Sequence, residues 1–207
     1  MKICIVSTGR AGSTSLYNLI KTHLTKDYYT ITEPFNEKIN RVNEIDSNQL
    51  EFISKHKDVL IKTITNQKPL DKTDDFIEEW IFSFFDKIIL LDRIDKKSQI
   101  ESFAYLTHSN NKFWHTKQVY KLSTVPEDVI NEWDERVTYS KKTLTDYSKN
   151  HNKKIYYYED IFVNKNIETI KEIFDYLKIN MNTQLVEEWV FSDEKKVRLS
   201  EIKTKLL

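Results

Sequence analysis

The run S-T-G-R-A-G-S-T-S, residues 7–15, gathers the groups that hold an anion. Arg10 brings a permanent positive charge and a fork of N–H donors. Ser13, Thr14 and Ser15 bring hydroxyls. Gly9 and Gly12, on either side of Arg10 and the small Ala11, are the only 2 glycines in a 207-residue chain. Glycine serves where the backbone takes positive φ or where another group must approach it closely. The flanks supply the rest. Ile3, Cys4, Ile5 and Val6 form an apolar run suited to a buried strand. Leu16, Leu19, Ile20 and Leu24 recur at helical spacing, with Ser13 as the expected N-cap. A strand, a glycine turn and a helix start present unbonded N–H groups, at the positive end of a helix dipole, to a phosphate-like anion.

The remaining elements must bring partners to that loop. Strands are expected at 28–31, 58–64, 87–93 and 154–161. Helices are expected at 47–56, 74–85, 96–108, 126–150 (with Pro126 as its first residue), 166–179 and 183–190. This alternation predicts one α/β domain over residues 1–207, a three-layer α/β/α fold with a central parallel sheet and a P-loop-like anion loop. Ligands of such sheets bind at the C-terminal ends of the strands.

Lys and Arg total 32, as do Asp and Glu, so no global field collects nucleic acid or anionic lipid. Neither nucleic acid nor membrane is an expected partner, and an anionic ligand needs a local site. Cys4 is the sole cysteine, so no intrachain disulfide forms. The first strand begins at once and no apolar run is long enough to span a membrane, so the expected location is the cytoplasm.

The loop does not match G-x-x-x-x-G-K-[ST]: its glycines are three apart and no Lys follows Gly12. It resembles the 5′-phosphosulfate loop of the sulfotransferases that use 3′-phosphoadenosine 5′-phosphosulfate (PAPS), in the branch with Arg where cytosolic members have Lys. The resemblance implies that Arg10 grips the phosphosulfate bridge and that Ser13, Thr14 and Ser15 hold the 5′-phosphate, within a loop lined by Gly9, Ala11 and Gly12. A second segment, ILLDRIDKKSQIESF, resembles the family's 3′-phosphate site: Arg93 ends a strand and Ser102 follows nine residues on, with Asp95 and Gln99 fitting R-x-[ND]-x-x-x-Q-x-x-S. Further segments match in order. TEPFN resembles the E-P-F segment of bacterial carbohydrate sulfotransferases and implies Glu33 as the base. VLIKTI resembles V-K-T-H and implies that Lys62 assists the sulfuryl group, with Ile64 where that segment has His. YYYED resembles Y-E-D and implies Tyr158 near the adenine. His108 and His115 are spare bases, and KKVRL (195–199) faintly resembles the family's basic C-terminal loop.

The implied function is sulfuryl transfer from PAPS, without a metal, to a hydroxyl or amine of a small-molecule or carbohydrate acceptor. Loops 36–47 and 109–125 would choose the acceptor, and carry no recognisable code. Two alternatives stay open. IILLD (88–92) looks like a Walker B strand, making Asp92 a magnesium ligand of a nucleotide kinase or NTPase. The chain also suits a non-catalytic nucleotide-binding relative. Taken singly, Arg93 reads as a surface ion pair, Lys62 as a solvated strand end, Glu33 as a cap or ion pair, and Tyr158 as part core. The four tryptophans read as core or groove aromatics, and paired lysines as solvated helix faces.

Overall fold

Strands whose residues are apolar without alternation need cover on both faces, and here they receive it. The computed structural model describes residues 1–35, 47–65, 67, 72–108 and 125–191. In chain order the elements are β1 (Lys2–Ser7), α1 (Ser13–His23), β2 (Tyr29–Thr32), α2 (Ser47–Ser54), β3 (Val59–Ile64), α3 (Asp74–Phe84) and β4 (Lys87–Asp92). Then follow α4 (Lys96–His108), α5 (Glu127–Asn150), β5 (Ile155–Tyr157), a π-helical turn (Glu159–Val163), α6 (Ile167–Leu177) and α7 (Thr183–Phe191). The strands form one sheet in the order β2-β3-β1-β4-β5, and every pairing is parallel. This is the expected α/β architecture.

Successive residues of a strand point to opposite faces, so β1 seeds two cores. Ile3 and Ile5 pack with Leu16, Leu19 and Ile20 of α1, Ile173 and Phe174 of α6, and Val186 of α7. Cys4 and Val6 pack with Ile53 of α2, Ile77 and Ile81 of α3, and Leu144 and Tyr147 of α5. Because β1 lies between β3 and β4, the chain leaves it toward one edge of the sheet and later crosses to the other. Such a reversal marks the C-terminal ends of β1 and β4 as the place where sheets of this kind bind ligands.

Three local expectations change. Gly12, not Ser13, occupies the N-cap of α1, at φ 77° and with no side-chain cap bond; Ser13 is already helical. Pro126 is likewise the cap of α5 and Glu127 its first residue. The strand expected over 154–161 stops at Tyr157, and residues 159–163 coil into the π-helical turn. The cause is tertiary: the Glu159 carboxylate accepts from the backbone N–H groups of Ile94 (2.9 Å) and Asp95 (3.1 Å), which pulls the chain out of the sheet. Trp114, His115, KKVRL and most of both acceptor loops lie outside the described residues, as does the side chain of His108.

Candidate active site

The loop leaves β1 at Ser7, whose level in the sheet is shared by Ile64 and Leu91. Two of its residues are left-handed: Arg10 at φ 64° and Gly12 at φ 77°. A non-glycine residue there costs roughly 1–2 kcal/mol, so the surroundings hold Arg10 in place. Its Nε donates to Ser102 Oγ at 2.8 Å. Ala11 is fully buried and its side chain belongs to the core beneath α1. Ser13 is also buried.

The glycines are closely approached, but by aromatic rings of the protein itself. A Cβ on Gly9 would lie 2.3 Å from the Phe103 ring. One on Gly12 would lie 2.5 Å from Phe162 and 2.9 Å from Tyr158. Phe103 in turn lies flat on Trp133, with ring centroids 4.3 Å apart, and the Arg136 guanidinium covers the Trp133 ring. Trp133 is therefore a packed ring and not an open platform. Trp80 and Trp189 pack against the two cores.

A polar network underlies the loop. Gln99, fully buried, donates through Nε2 to Thr8 Oγ1 (2.9 Å) and to the Gly9 carbonyl oxygen. Thr8 donates to Asp92 Oδ1 at 2.7 Å, and Lys141 donates to both Asp92 oxygens at 2.9 Å. Since C=O and N–H point opposite ways in a trans peptide, anchoring the Gly9 carbonyl on Gln99 aims the Arg10 N–H the other way. Lys141 belongs to a paired-lysine run that reads as solvated. Only its packing against β4 reveals it, because Asp92 is 49 residues distant.

On the other side of the loop, Lys62 and Glu33 meet. Lys62 is buried, with its side chain 3% exposed, and its ammonium pairs with the Glu33 carboxylate. It also donates to Thr14 Oγ1 at 3.1 Å. A buried ammonium requires such partners, so Lys62 is not a solvated strand end. Glu33 is placed by its backbone, at φ 49°, with its N–H donating to the Lys62 carbonyl at 2.6 Å. Gln67, which no motif singles out, donates to Glu33 Oε2 at 3.0 Å.

Arg93 follows β4. Its guanidinium lies over the Tyr158 ring, 4.8 Å from the centroid, a cation–π contact. Its Nε stands 3.9 Å from Glu159 Oε1 and, although buried, has no hydrogen-bond partner among the described residues. Asp95 starts α4 by accepting from the Ser98 N–H at 2.9 Å. The Ser98 hydrogen bonds hold its carboxyl below the ordinary aspartate value.

Contacts thus link the residues singled out by motif: Arg10 to Ser102, Thr14 through Lys62 to Glu33, and Gly12 beside Tyr158, which carries Arg93. Arg10 and Lys62 flank the start of α1 and Arg93 lies beyond Tyr158; Glu33 pairs with Lys62, and Glu159 stands beside Arg93. Such an arrangement can bind a multiply charged anion and accept a proton beside it.

The fold has a solved counterpart. The chain is similar to the sulfotransferase domain from the curacin biosynthetic pathway, with a TM-score of 0.54 over 97% of this chain and 82% of that one. This is a sulfotransferase-like fold. Sequence identity to that domain is 15%, so the likeness is one of fold. No family model matches the chain, and no curated protein sequence does. Among the described residues, no helix is long and apolar enough to cross a membrane. No group of three or more His, Cys, Asp or Glu suited to a metal occurs among them either.

Proposed function

We propose that the protein transfers a sulfuryl group from PAPS to a hydroxyl or amine of an acceptor, with carbohydrates the first class to test. The observation that carries this reading is a pair of contacts on the two sides of one loop, Arg10 with Ser102 and Lys62 with the Glu33 carboxylate, at the switch point of a sulfotransferase-like sheet. In the proposed reaction the acceptor oxygen or nitrogen attacks sulfur in line. The bond from sulfur to the bridging oxygen breaks, and its electron pair leaves with the 5′-phosphate of 3′,5′-ADP. The acceptor proton passes to Glu33. Arg10 and Lys62 offset charge on the bridge and sulfuryl oxygens. Ser13, Thr14, Ser15 and the N–H groups at the start of α1 hold the 5′-phosphate. Arg93 and Ser102 hold the 3′-phosphate, with Tyr158 beside the adenine.

The kinase reading draws less support from the geometry. Asp92, its candidate magnesium ligand, has both oxygens taken by Lys141 and one also by Thr8. A cation would have to displace an ammonium there. The deciding experiment compares thermal shifts with 3′,5′-ADP and with ATP plus magnesium, since a ligand that binds only the native state raises Tm. We expect a shift with metal-free 3′,5′-ADP that Arg93→Ala abolishes. A shift with ATP and magnesium alone would overturn the reading. With an acceptor in hand, Glu33→Gln should lower kcat on the order of 10²–10⁴-fold while 3′,5′-ADP still binds; undiminished turnover would remove Glu33 as the base.

A further inference from the structure

We infer that Lys62 exchanges partners, pairing with Glu33 when the loop holds no anion and with the donor when it does, so that Glu33 is released as a base only on donor binding. This rests on the proposed function. Three observations lead to it. First, the Lys62 ammonium already bridges the two halves of the site: it pairs with Glu33 and donates to Thr14 Oγ1 at 3.1 Å. Thr14 stands in the first turn of α1, where a phosphate would sit. The ammonium is one hydroxyl away from any anion in the loop.

Second, Lys62 is buried, so its charge requires an anionic partner in either state. Glu33 fills that place in the structure, and a bound phosphosulfate would compete for it. Third, Glu33 is held independently of Lys62's side chain. Its N–H donates to the Lys62 backbone carbonyl at 2.6 Å, and its Oε2 accepts from Gln67 at 3.0 Å. When the ammonium turns toward the loop, the carboxylate stays in position. A carboxylate that loses an adjacent ammonium holds a proton more readily, which is the change a general base needs. Gln67 then acts as a positioning residue, keeping the carboxylate from following Lys62.

The exchange has a consequence that a simple base does not. Glu33 competes with the donor for Lys62, so removing its charge should strengthen donor-site binding. The test is calorimetry with 3′,5′-ADP on the full chain and three variants. Glu33→Gln should bind about 10-fold more tightly than the wild type, a change of about 1.4 kcal/mol. Lys62→Met should bind more weakly, and adding Glu33→Gln to it should bring no gain. A gain that persists without Lys62 would mean that the carboxylate merely repels the phosphate, and would overturn the inference. So would unchanged or weaker binding by Glu33→Gln. Lys62→Met alone strands a partly buried carboxylate and can fail to fold. The double variant, in which neither residue is charged, then decides: an affinity equal to that of Glu33→Gln overturns the exchange. If the wild type itself does not bind 3′,5′-ADP, the proposed function fails first, and the two failures are distinguishable.

Discussion

At Gly12 an added side chain meets two obstacles, at Gly9 only one. Gly12 is left-handed at φ 77°, and its Cβ would strike Phe162 and Tyr158. Gly9 has no such backbone constraint; its Cβ would strike the tip of Phe103 alone. Both Gly→Ala changes should therefore destabilise the protein by roughly 1–3 kcal/mol, with different remedies. Phe103→Leu should restore the urea midpoint of Gly9→Ala and leave Gly12→Ala unrepaired. Equal rescue of both would show that φ at Gly12 is not the constraint. The pair also marks what a sequence can disclose at this scale. The loop was legible because Gly9, Arg10, Gly12 and the hydroxyls are neighbours in the chain. Gln67 and Lys141 were not, because each acquires its role from a partner far away in sequence: Gln67 from Glu33, 34 residues off, and Lys141 from Asp92, 49 residues off. Nor does spacing reveal that Ala11 faces the core.

Among the elements, α4 carries Gln99, Ser102 and Phe103, so the stability of its start bears on the whole loop. Two carboxylates secure that start: Asp95 accepts from the Ser98 N–H, and Glu159 accepts from Ile94 and Asp95. Local pattern made the run around Tyr156 look like a longer strand. Only the long-range bonds of Glu159 show why it ends at Tyr157. The Asp95 carboxyl titrates below its unfolded value, chiefly because of its hydrogen bonds from the Ser98 side chain and backbone. A carboxyl depressed in the native state stabilises above its unfolded pKa of about 3.9, and that contribution fades as pH falls through the native value. Asp95→Ala should therefore lower the urea-derived stability by about 1 kcal/mol at pH 7. The gap from wild type should narrow steadily as the pH is taken below the unfolded aspartate value. A gap that does not change with pH would mean that the carboxylate's charge has no part in the cap.

For the whole molecule, the α/β class followed from apolar runs too uniform to face water on either side. The strand order did not, since nothing local in β1 states that β3 and β4 will flank it. Cys4 offers a test of that arrangement and of ligand binding together. It lies on the central strand, fully buried, and burial pushes its thiol well above the ordinary value. Thiol reagents need an exposed thiolate, and a central strand of the core is exposed only when the domain opens globally. When opening and closing outpace the reagent, the labelling rate reports the population of the open form. A ligand seated on the loop just beyond β1 stabilises only the closed form, by about 2.7 kcal/mol at a concentration of 100 times Kd. Labelling of Cys4 should then slow by about 100-fold in 3′,5′-ADP. Arg93→Ala, if it abolishes binding, should remove that protection, measured as the ratio of this variant's own rates with and without ligand. Rapid labelling of the native protein, indifferent to any ligand, would mean that β1 is not the buried centre of the sheet, and the site built on its C-terminal end would lose its foundation.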